Sequence, residues 1–463
     1  MKIKIANVND PLVLKEFAVI NQGFFDMWEF VDEDYDLLYL EQPVGMDKSA
    51  RLRAYLNFLT EQFGNAQPWG LLNGMRPNKL VHSMKRRGMD APAIRAQLQH
   101  EYLVSDEKID LLLEINDRQL AVIPDLYQLE GAVSIYIGIP FCPTRCAYCT
   151  FAAYAHAPNR KWVAPFLAAL YEEMRLVGEY LREHQIPVTT IYLGGGTPTM
   201  LDAEELAALL TALRSHIGGA REITVEAGRP DSLNNEKLAL LKRFNVDRIS
   251  INPQSFNQPT LDSIGRHHSV ESVFEQFTAA KQMDIENINM DLIVGLPNEQ
   301  QNALAYSLAQ IQTLQPQSLT VHMLAMKRKS SMATDRSLYT VASKDVLTEM
   351  AQMTYDFAAA EGYEPYYLYR QKNIAGNLEN IGYAKSGHAC QYNILMMEEA
   401  QTVLGLGVGA SSKFLIGESV HNPKDLKTYI DSYAEYAQRK LELLELSRRL
   451  DAKAFVYNEG PTE

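Results

Sequence analysis

The chain holds four cysteines, and three of them, Cys142, Cys146 and Cys149, fall within the single stretch "FCPTRCAYCTF" (141–151). A Cys-x3-Cys-x2-Cys spacing lets three thiolates converge on one metal centre. Structural zinc wants a fourth ligand of matching kind, and His156 lies within reach in the sequence. A four-iron cluster held by three cysteines instead leaves one iron open for an exchangeable ligand. Three packing cysteines gathered by chance fit poorly with a chain in which cysteine is otherwise nearly absent. Cys390, in "GHACQYN", stands far away in the sequence and reads as a buried free thiol.

Those residues must be held by the elements around them. From residue 133 on, short runs rich in Val, Ile, Thr and Tyr alternate with amphipathic stretches. The runs are "VSIYIGI" (133–139), "VTTIYL" (188–193), "EITVEA" (222–227), "VDRISI" (246–251), "NINMDLIVGL" (287–296) and "SLTVHML" (318–324). Their composition predicts strands, and several are apolar almost throughout, as strands buried on both faces are. "WVAPFLAALYEEMRLVGEYLREH" (162–184) has helical apolar spacing, and "DAEELAALLTALRSHIG" (202–218) opens on a capping Asp with Glu three residues on. Six strand–helix units predict an α/β fold, a partial (βα)6 TIM-like barrel over residues 131–340, open because a full barrel takes eight. The cysteine loop follows the first barrel strand, at the C-terminal edge of the sheet, where the sites of such folds lie.

Residues 1–130 read as a separate N-terminal α/β module. "KIKIANV" (2–8) alternates as an edge strand, helices are predicted at 49–64, 76–89 and 105–123, and "PDLYQLEG" (124–131) is the joint. After residue 340 the barrel rhythm stops. A helix (342–361), a strand "EPYYLYR" (364–370), a loop (370–393), a Gly-rich stretch (405–417) and a final helix (424–449) make a C-terminal α+β region, 341–463, expected to cover the barrel mouth and the substrate.

Composition sets the class. A chain of 463 residues exceeds what one core organises. Hydrophobic content is 46% and charged content 22%, both globular values. Four cysteines are too few for a secreted disulfide scaffold, Lys15 and Glu16 interrupt the one candidate signal run, "PLVLKEFAVI", and no apolar stretch reaches the roughly 18 residues of a membrane span. The expectation is a cytoplasmic protein with reduced thiols. A net charge of −13 opposes nucleic-acid binding, and the basic runs "HSMKRRGM" (82–89) and "MKRKSS" (326–331) read as solvated faces.

"YIGIPFCPTRCAYCTF" (136–151) resembles the radical S-adenosylmethionine (SAM) signature, including Tyr148 just before the last cysteine. "YLGGGTPTML" (192–201), "ITVEAGRPD" (223–231), "RISINPQSF" (248–256), "MDLIVGLP" (290–297) and "YRQKNIAGNLENIGYAK" (369–385) extend that to a resemblance to the oxygen-independent coproporphyrinogen III oxidase family. The "EAGRP" variant and "WGLLNGMRP" (69–77) are similar to the branch called coproporphyrinogen dehydrogenase of the HemZ type. The resemblance implies that Cys142, Cys146 and Cys149 ligate a 4Fe–4S cluster and that SAM chelates the open iron. It implies contacts to one or two SAM molecules from Tyr136, Gly195, Gly196, Thr197, Glu226, Gln254, Arg266, Asp291, Ile293 and Ala325. The residue types suit this. Bare glycine backbone can approach a cofactor closely and point N–H groups at a carboxylate. Glu and Asp can accept from ribose hydroxyls or an ammonium, and Arg266 can fork onto a carboxylate.

The implied activity is hydrogen abstraction from a propionate by a 5′-deoxyadenosyl radical, with loss of CO2. Done twice, it turns coproporphyrinogen III into protoporphyrinogen IX in porphyrin and haem biosynthesis, and an electron donor such as flavodoxin or ferredoxin is the implied partner. A tetrapyrrole with four carboxylates needs cations, for which charge alone nominates Arg229, Arg266, Lys327, Arg370, Lys372 and Lys385. Relatives with other roles are haem chaperones and tetrapyrrole methyltransferases. The chaperones carry His and Trp in the motif that reads "CQYNILMMEE" (390–399) here. Cys142→Ala, Cys146→Ala and Cys149→Ala should each abolish cluster assembly while Cys390→Ala leaves it intact. Iron per chain and visible absorbance after anaerobic reconstitution measure this, and equal loss in Cys390→Ala would mean four protein ligands.

Overall fold

A computed structural model describes residues 1–6, 11–24, 28–31, 33–40, 47–64, 67–72, 76–325, 330–334, 339–371 and 378–450. Two compact units divide the described residues, one within 1–118 and one within 119–450. In the first, β1 (Lys2–Ala6) lies between β2 (Glu29–Phe30) and β3 (Leu37–Leu40), all parallel. The alternating "KIKIA" run is therefore the central strand and not an edge. One-sided burial gives the same alternation in either position. The predicted helices form at Lys48–Phe63, Pro77–Arg86 and Asp106–Val122, joined by Pro11–Phe24 and Ala91–Tyr102. Asp47 caps Lys48–Phe63 by accepting from Ala50 N–H, and Gly64, at φ 68°, ends it. Phe17 stacks on Tyr55 at 4.1 Å, and Tyr55 O–H donates to buried Asn21 (2.7 Å).

The second unit is built on one eleven-stranded sheet. The six expected strands are β4 (Val133–Ile139), followed by the short pair β5 (Phe141–Cys142) and β6 (Tyr154–Ala155), then β7 (Val188–Gly195), β8 (Glu222–Glu226), β9 (Arg248–Ser250), β10 (Asn287–Val294) and β11 (Ser318–Met323). They run parallel in the order β11-β10-β9-β8-β7-β4. The C-terminal region extends both ends of this arc. β12 (Glu364–Tyr369) and β13 (Asn380–Ala384) add antiparallel beside β11. β14 (Thr402–Gly407) adds parallel to β4, and β15 (Ser411–Lys413) and β16 (Ser419–His421) follow it. The stretch read as a loop at 370–393 thus contains β13 and the start of the helix Gln391–Glu398, and the Gly-rich stretch contributes a seventh parallel strand. The first boundary falls at 118/119 and not near 130. Ile123, Leu126 and Leu129 pack with Tyr366, Tyr392 and Val403 of the sheet unit, so the expected joint is core.

The strands are not apolar on both faces. Ile135, Ile137, Ile191, Leu193, Ile223, Val225, Ile249, Ile288 and Met290 are buried on one side. Between them, Ser134, Tyr136, Thr190, Tyr192, Glu222, Thr224, Glu226, Arg248, Asn289, Asp291, Thr320 and His322 fill the other. These close on one another inside the arc. Ser134 Oγ lies 2.7 Å from Thr190 Oγ1 and donates to Gln401 (2.6 Å), and Arg248 reaches Ser318 (3.3 Å) and Glu222 (3.5 Å). A half-open barrel needs such a lining because its interior meets a ligand and not a second hydrophobic layer.

One buried charge fastens the last helix to the sheet. Glu173, on the helix Val163–Glu183, accepts from Gly407 N–H (2.8 Å), Asn422 Nδ2 (3.0 Å) and Tyr429 O–H (2.7 Å), and pairs with Lys440 of the helix Leu426–Arg449. Both charged side chains are fully buried. Among the described residues no helix is long and apolar enough to cross a membrane. Glu173→Ala leaves an ammonium uncompensated, so the sheet unit should lose about 3–5 kcal/mol in denaturant unfolding. A loss under about 1 kcal/mol would show that the pair is not what fastens the helix.

Candidate active site

The open, C-terminal ends of the strands surround a cavity of about 260 Å³. Its wall brings together Cys142, Cys146 and Cys149 with Gly195, Gly196, Thr197, Glu226, Gln254, Arg266, Asp291, Ile293 and Ala325. Tyr136 does not line it. It lies deeper, ring on ring with Tyr192 (6.1 Å) and Tyr392 (6.3 Å), in an aromatic floor whose Tyr192 O–H donates to Glu226 (2.6 Å).

The cysteine loop is held from several sides. Ala147 N–H donates to Ile264 O (2.9 Å), Thr144 O–H to Gly265 O (2.8 Å), and Ser331 O–H to Ala147 O (3.1 Å). The glycine loop lies against it, with Gly196 N–H on Ile139 O and Thr197 N–H on Phe141 O, both 2.7 Å. Gly195 has φ 104°, a conformation that side chains rarely adopt, and a Cβ there would sit 3.1 Å from the Ile139 backbone. Thr197 O–H donates to Cys142 Sγ at 3.6 Å. Burial pushes the Cys142 thiol up to about 11, against the pull of that hydrogen bond. A thiol so placed becomes a thiolate readily only when a metal takes its electrons.

Gln254 is a strained point, at φ 65°, pinned by its N–H to Asp291 O (2.9 Å) and by Ile293 N–H to its own carbonyl (2.8 Å). Asp291 accepts from Asn252 (2.8 Å) and Asn289 (2.7 Å), and its carboxylate lies 3.6 Å from His322, which meets Tyr369 O–H at 3.0 Å. Burial, with Asp291 adding to it, lifts Glu226 to about 7. Arg266 donates Nη2 to Gly228 O (2.6 Å) and Asn252 O (2.5 Å), while its buried Nε has no hydrogen-bond partner. Asn252 Oδ1 is buried and unpartnered as well.

The residues nominated as substrate cations scatter. Arg229 lines the cavity but is forked onto Asp231 (2.9 and 2.7 Å). Arg370 is buried beside Glu379 and is not part of the wall; burial pulls its guanidinium down to about 10. Lys385 is a correction. β13 runs antiparallel to β11, so Lys385 lies beside Gln317 at the opposite edge of the sheet, with its ammonium on Gln315. Lys327 and Lys372 lie outside the described residues. Asn252, His322, Tyr369 and Arg145, all in the wall, were missed as site residues. For Arg145 the signal was available, since it stands between two of the cysteines.

Three thiols outside any disulfide, orphaned polar atoms on Arg266 and Asn252, and a glycine cradle that a Cβ would crowd fit a cluster and a polar cofactor together. His156, the possible zinc ligand, is not in the wall; its ring packs edge-on against Phe141 (6.0 Å). Among the described residues no group of three or more His, Cys, Asp or Glu is arranged to hold a single metal ion.

Residues 136–309 match the Radical SAM superfamily. The chain is 50% identical over 399 residues to the oxygen-independent coproporphyrinogen-III oxidase-like protein HemZ of Bacillus subtilis, covering 84% of this chain and 80% of that protein. The chain belongs to this radical SAM family. It is also 32% identical to the heme chaperone HemW of Bacillus subtilis, over 65% of this chain and 76% of that one. The solved structure of coproporphyrinogen III oxidase (HemN) from Escherichia coli shares the fold, with a TM-score of 0.55 at 24% identity, covering 69% of this chain and 72% of that one. Membership of the superfamily implies a 4Fe–4S cluster and SAM. Gly195→Val should retain the cluster and lose SAM binding, because a branched side chain cannot take φ 104°. Calorimetric titration of the reconstituted variant checks this; unchanged affinity would reduce the glycine loop to a turn.

Proposed function

We propose that this radical SAM protein carries out the oxygen-independent oxidative decarboxylation of two propionates of coproporphyrinogen III, giving protoporphyrinogen IX. The observation that carries the reading is one cavity that joins three thiols to the orphaned Arg266 Nε and Asn252 Oδ1, beneath an open mouth. When bound, the cluster and SAM supply one-electron chemistry that removes a hydrogen atom from an unactivated C–H bond.

The chain's own residues do the placing. Cys142, Cys146 and Cys149 would hold the cluster. Arg266 Nε would donate to the SAM carboxylate, and the Gly195–Thr197 backbone, whose N–H groups are already bonded to Ile139, Phe141 and Glu226, would give the cofactor close approach rather than hydrogen bonds. Glu226, Gln254 and Asp291 offer acceptors to hydroxyl or ammonium groups, and Ile293 and Ala325 supply apolar contact. The rings of Tyr136, Tyr192 and Tyr392 stack on one another to form the floor below the cavity. Tyr369, Gln371 and Asn380, from the region after residue 340, stand on the other wall and would cover the tetrapyrrole. Electrons would come from a small redox protein such as flavodoxin or ferredoxin.

A haem chaperone is the second reading, favoured by the 32% identity to HemW. Against it, the stretch beginning at Cys390 is turned into the barrel. Cys390 is buried and donates to Glu222 (3.2 Å), where burial pushes its thiol up to about 12, and Tyr392 belongs to the floor. Anaerobic turnover with coproporphyrinogen III, SAM and a reductant separates the readings: CO2 and vinyl product support the proposal, and bound haem without turnover supports the chaperone.

With Arg229 and Arg266 committed, Arg145 is, among the described residues, the exposed arginine on the cavity wall, and it would meet a substrate propionate. A charge-assisted pair is worth roughly 1.5–3 kcal/mol, so Arg145→Ala should weaken substrate use about ten- to a hundredfold. Reductive SAM cleavage without substrate should hardly change. If both fall together, Arg145 serves the cysteine loop and not the substrate.

A further inference from the structure

We infer that Arg229 sets the reduction potential of the cluster through Cys146, an inference that rests on reading Cys142, Cys146 and Cys149 as cluster ligands. Arg229 is only 3% exposed. Its Nε and Nη2 donate to the two oxygens of Asp231 at 2.9 and 2.7 Å, the parallel fork that fixes a guanidinium plane. The fork leaves Nη1 for the cysteine loop. It lies 3.2 Å from Thr144 Oγ1 and 3.9 Å from Cys146 Sγ. Thr144 donates in turn to Gly265 O (2.8 Å), so the loop that Nη1 touches is itself held.

Cys146 is the buried member of the three cysteines, and two guanidinium groups converge on it. Arg266 Nη1 reaches the same sulfur at 3.9 Å, but that side chain is also held by two carbonyls and faces the cofactor with its free Nε. Arg229 is placed differently: Nε and Nη2 end on Asp231, and Nη1 is shared between Thr144 and the Cys146 sulfur, both in the cysteine loop. An N–H aimed at a cluster sulfur stabilises the reduced state more than the oxidised one, because the added electron makes the sulfur more negative. Low local dielectric strengthens the effect. Asp231 offsets much of the net charge, so the directed N–H carries the larger share. Lysine could bring the charge but not the fork. Arg229 therefore acts through a ligand and is a positioning residue, not a catalytic one.

The test compares full-length parent, Arg229→Gln and Arg229→Lys proteins, reconstituted anaerobically. Iron and sulfide per chain are measured, followed by a potentiometric titration read by EPR without SAM or substrate. Arg229→Gln should hold the parent's iron. At the parent's midpoint its reduced-to-oxidised ratio should fall about tenfold, which is about 59 mV for a one-electron couple. Arg229→Lys should lie between the two. An unshifted midpoint in Arg229→Gln at full iron overturns the inference and leaves Arg229 a brace for the loop. If Arg229→Gln assembles no cluster, Arg229→Lys decides: a lowered midpoint supports the inference and a parental one overturns it. A parent protein that takes up no four-iron cluster sinks the reading of the cysteines as well, whereas an unshifted Arg229→Gln sinks this inference alone.

Discussion

Polar groups taken out of water need partners, and the inner face of this barrel is polar along nearly every strand. Toward the base most of the groups find one another, Ser134 with Thr190 and Gln401 and Glu222 with Arg248 and Cys390, although Arg248 Nε and Ser250 Oγ are buried without a partner. Toward the open end the pairing runs out. Arg266 Nε and Asn252 Oδ1 are buried with nothing to bond, Gln254 holds a left-handed backbone, and Glu226 is lifted toward neutrality. A buried donor or acceptor left unpaired costs about 1–3 kcal/mol, so a ligand that bonds the two atoms on the cavity wall would recover that cost.

The same requirement explains how the arc is finished. Six parallel strands expose two edges, each a row of unpaired N–H and C=O groups. The chain after residue 340 covers both, with β13 on β11 and β14 on β4. That region is thus part of the sheet that carries the site. It also supplies Tyr369, Gln371 and Asn380 to the cavity wall, so completing the sheet and shaping the pocket are one event. The buried Glu173–Lys440 pair then ties the last helix to the end of β14, next to the strand that leads into the cysteine loop.

Around the cysteines, hydrogen bonds do two different jobs. Those from Ala147, Thr144 and Ser331 fix the backbone course of the loop. Those from Thr197, Arg229 and Arg266 end on sulfur and bear on the electronic state of whatever the thiols hold. Arg229 joins the two sets, because its Nη1 lies on both Thr144 of the loop and the Cys146 sulfur.

The spacing of Cys142, Cys146 and Cys149, the six strand runs and their order were legible in the sequence because they rest on local composition and period. The loop's place at the C-terminal edge followed from strand direction alone. The polar inner face was also written there, as Ser134, Tyr136, Thr190, Tyr192 and Glu226, but Val, Ile and Tyr read as apolar on either face until curvature assigns one side to the interior. Position in space was beyond local pattern. Lys385 and Arg370 carry the right charge, yet β13 runs back down the sheet and takes Lys385 to the far edge, while Arg370 is buried beside Glu379. Arg229 looked like a substrate cation until its fork onto Asp231 was seen. Sequence determines which chemical groups exist and which elements carry them; only the folded sheet decides which are paired with each other and which are left for a ligand, because pairing depends on distances between strands that no local spacing encodes.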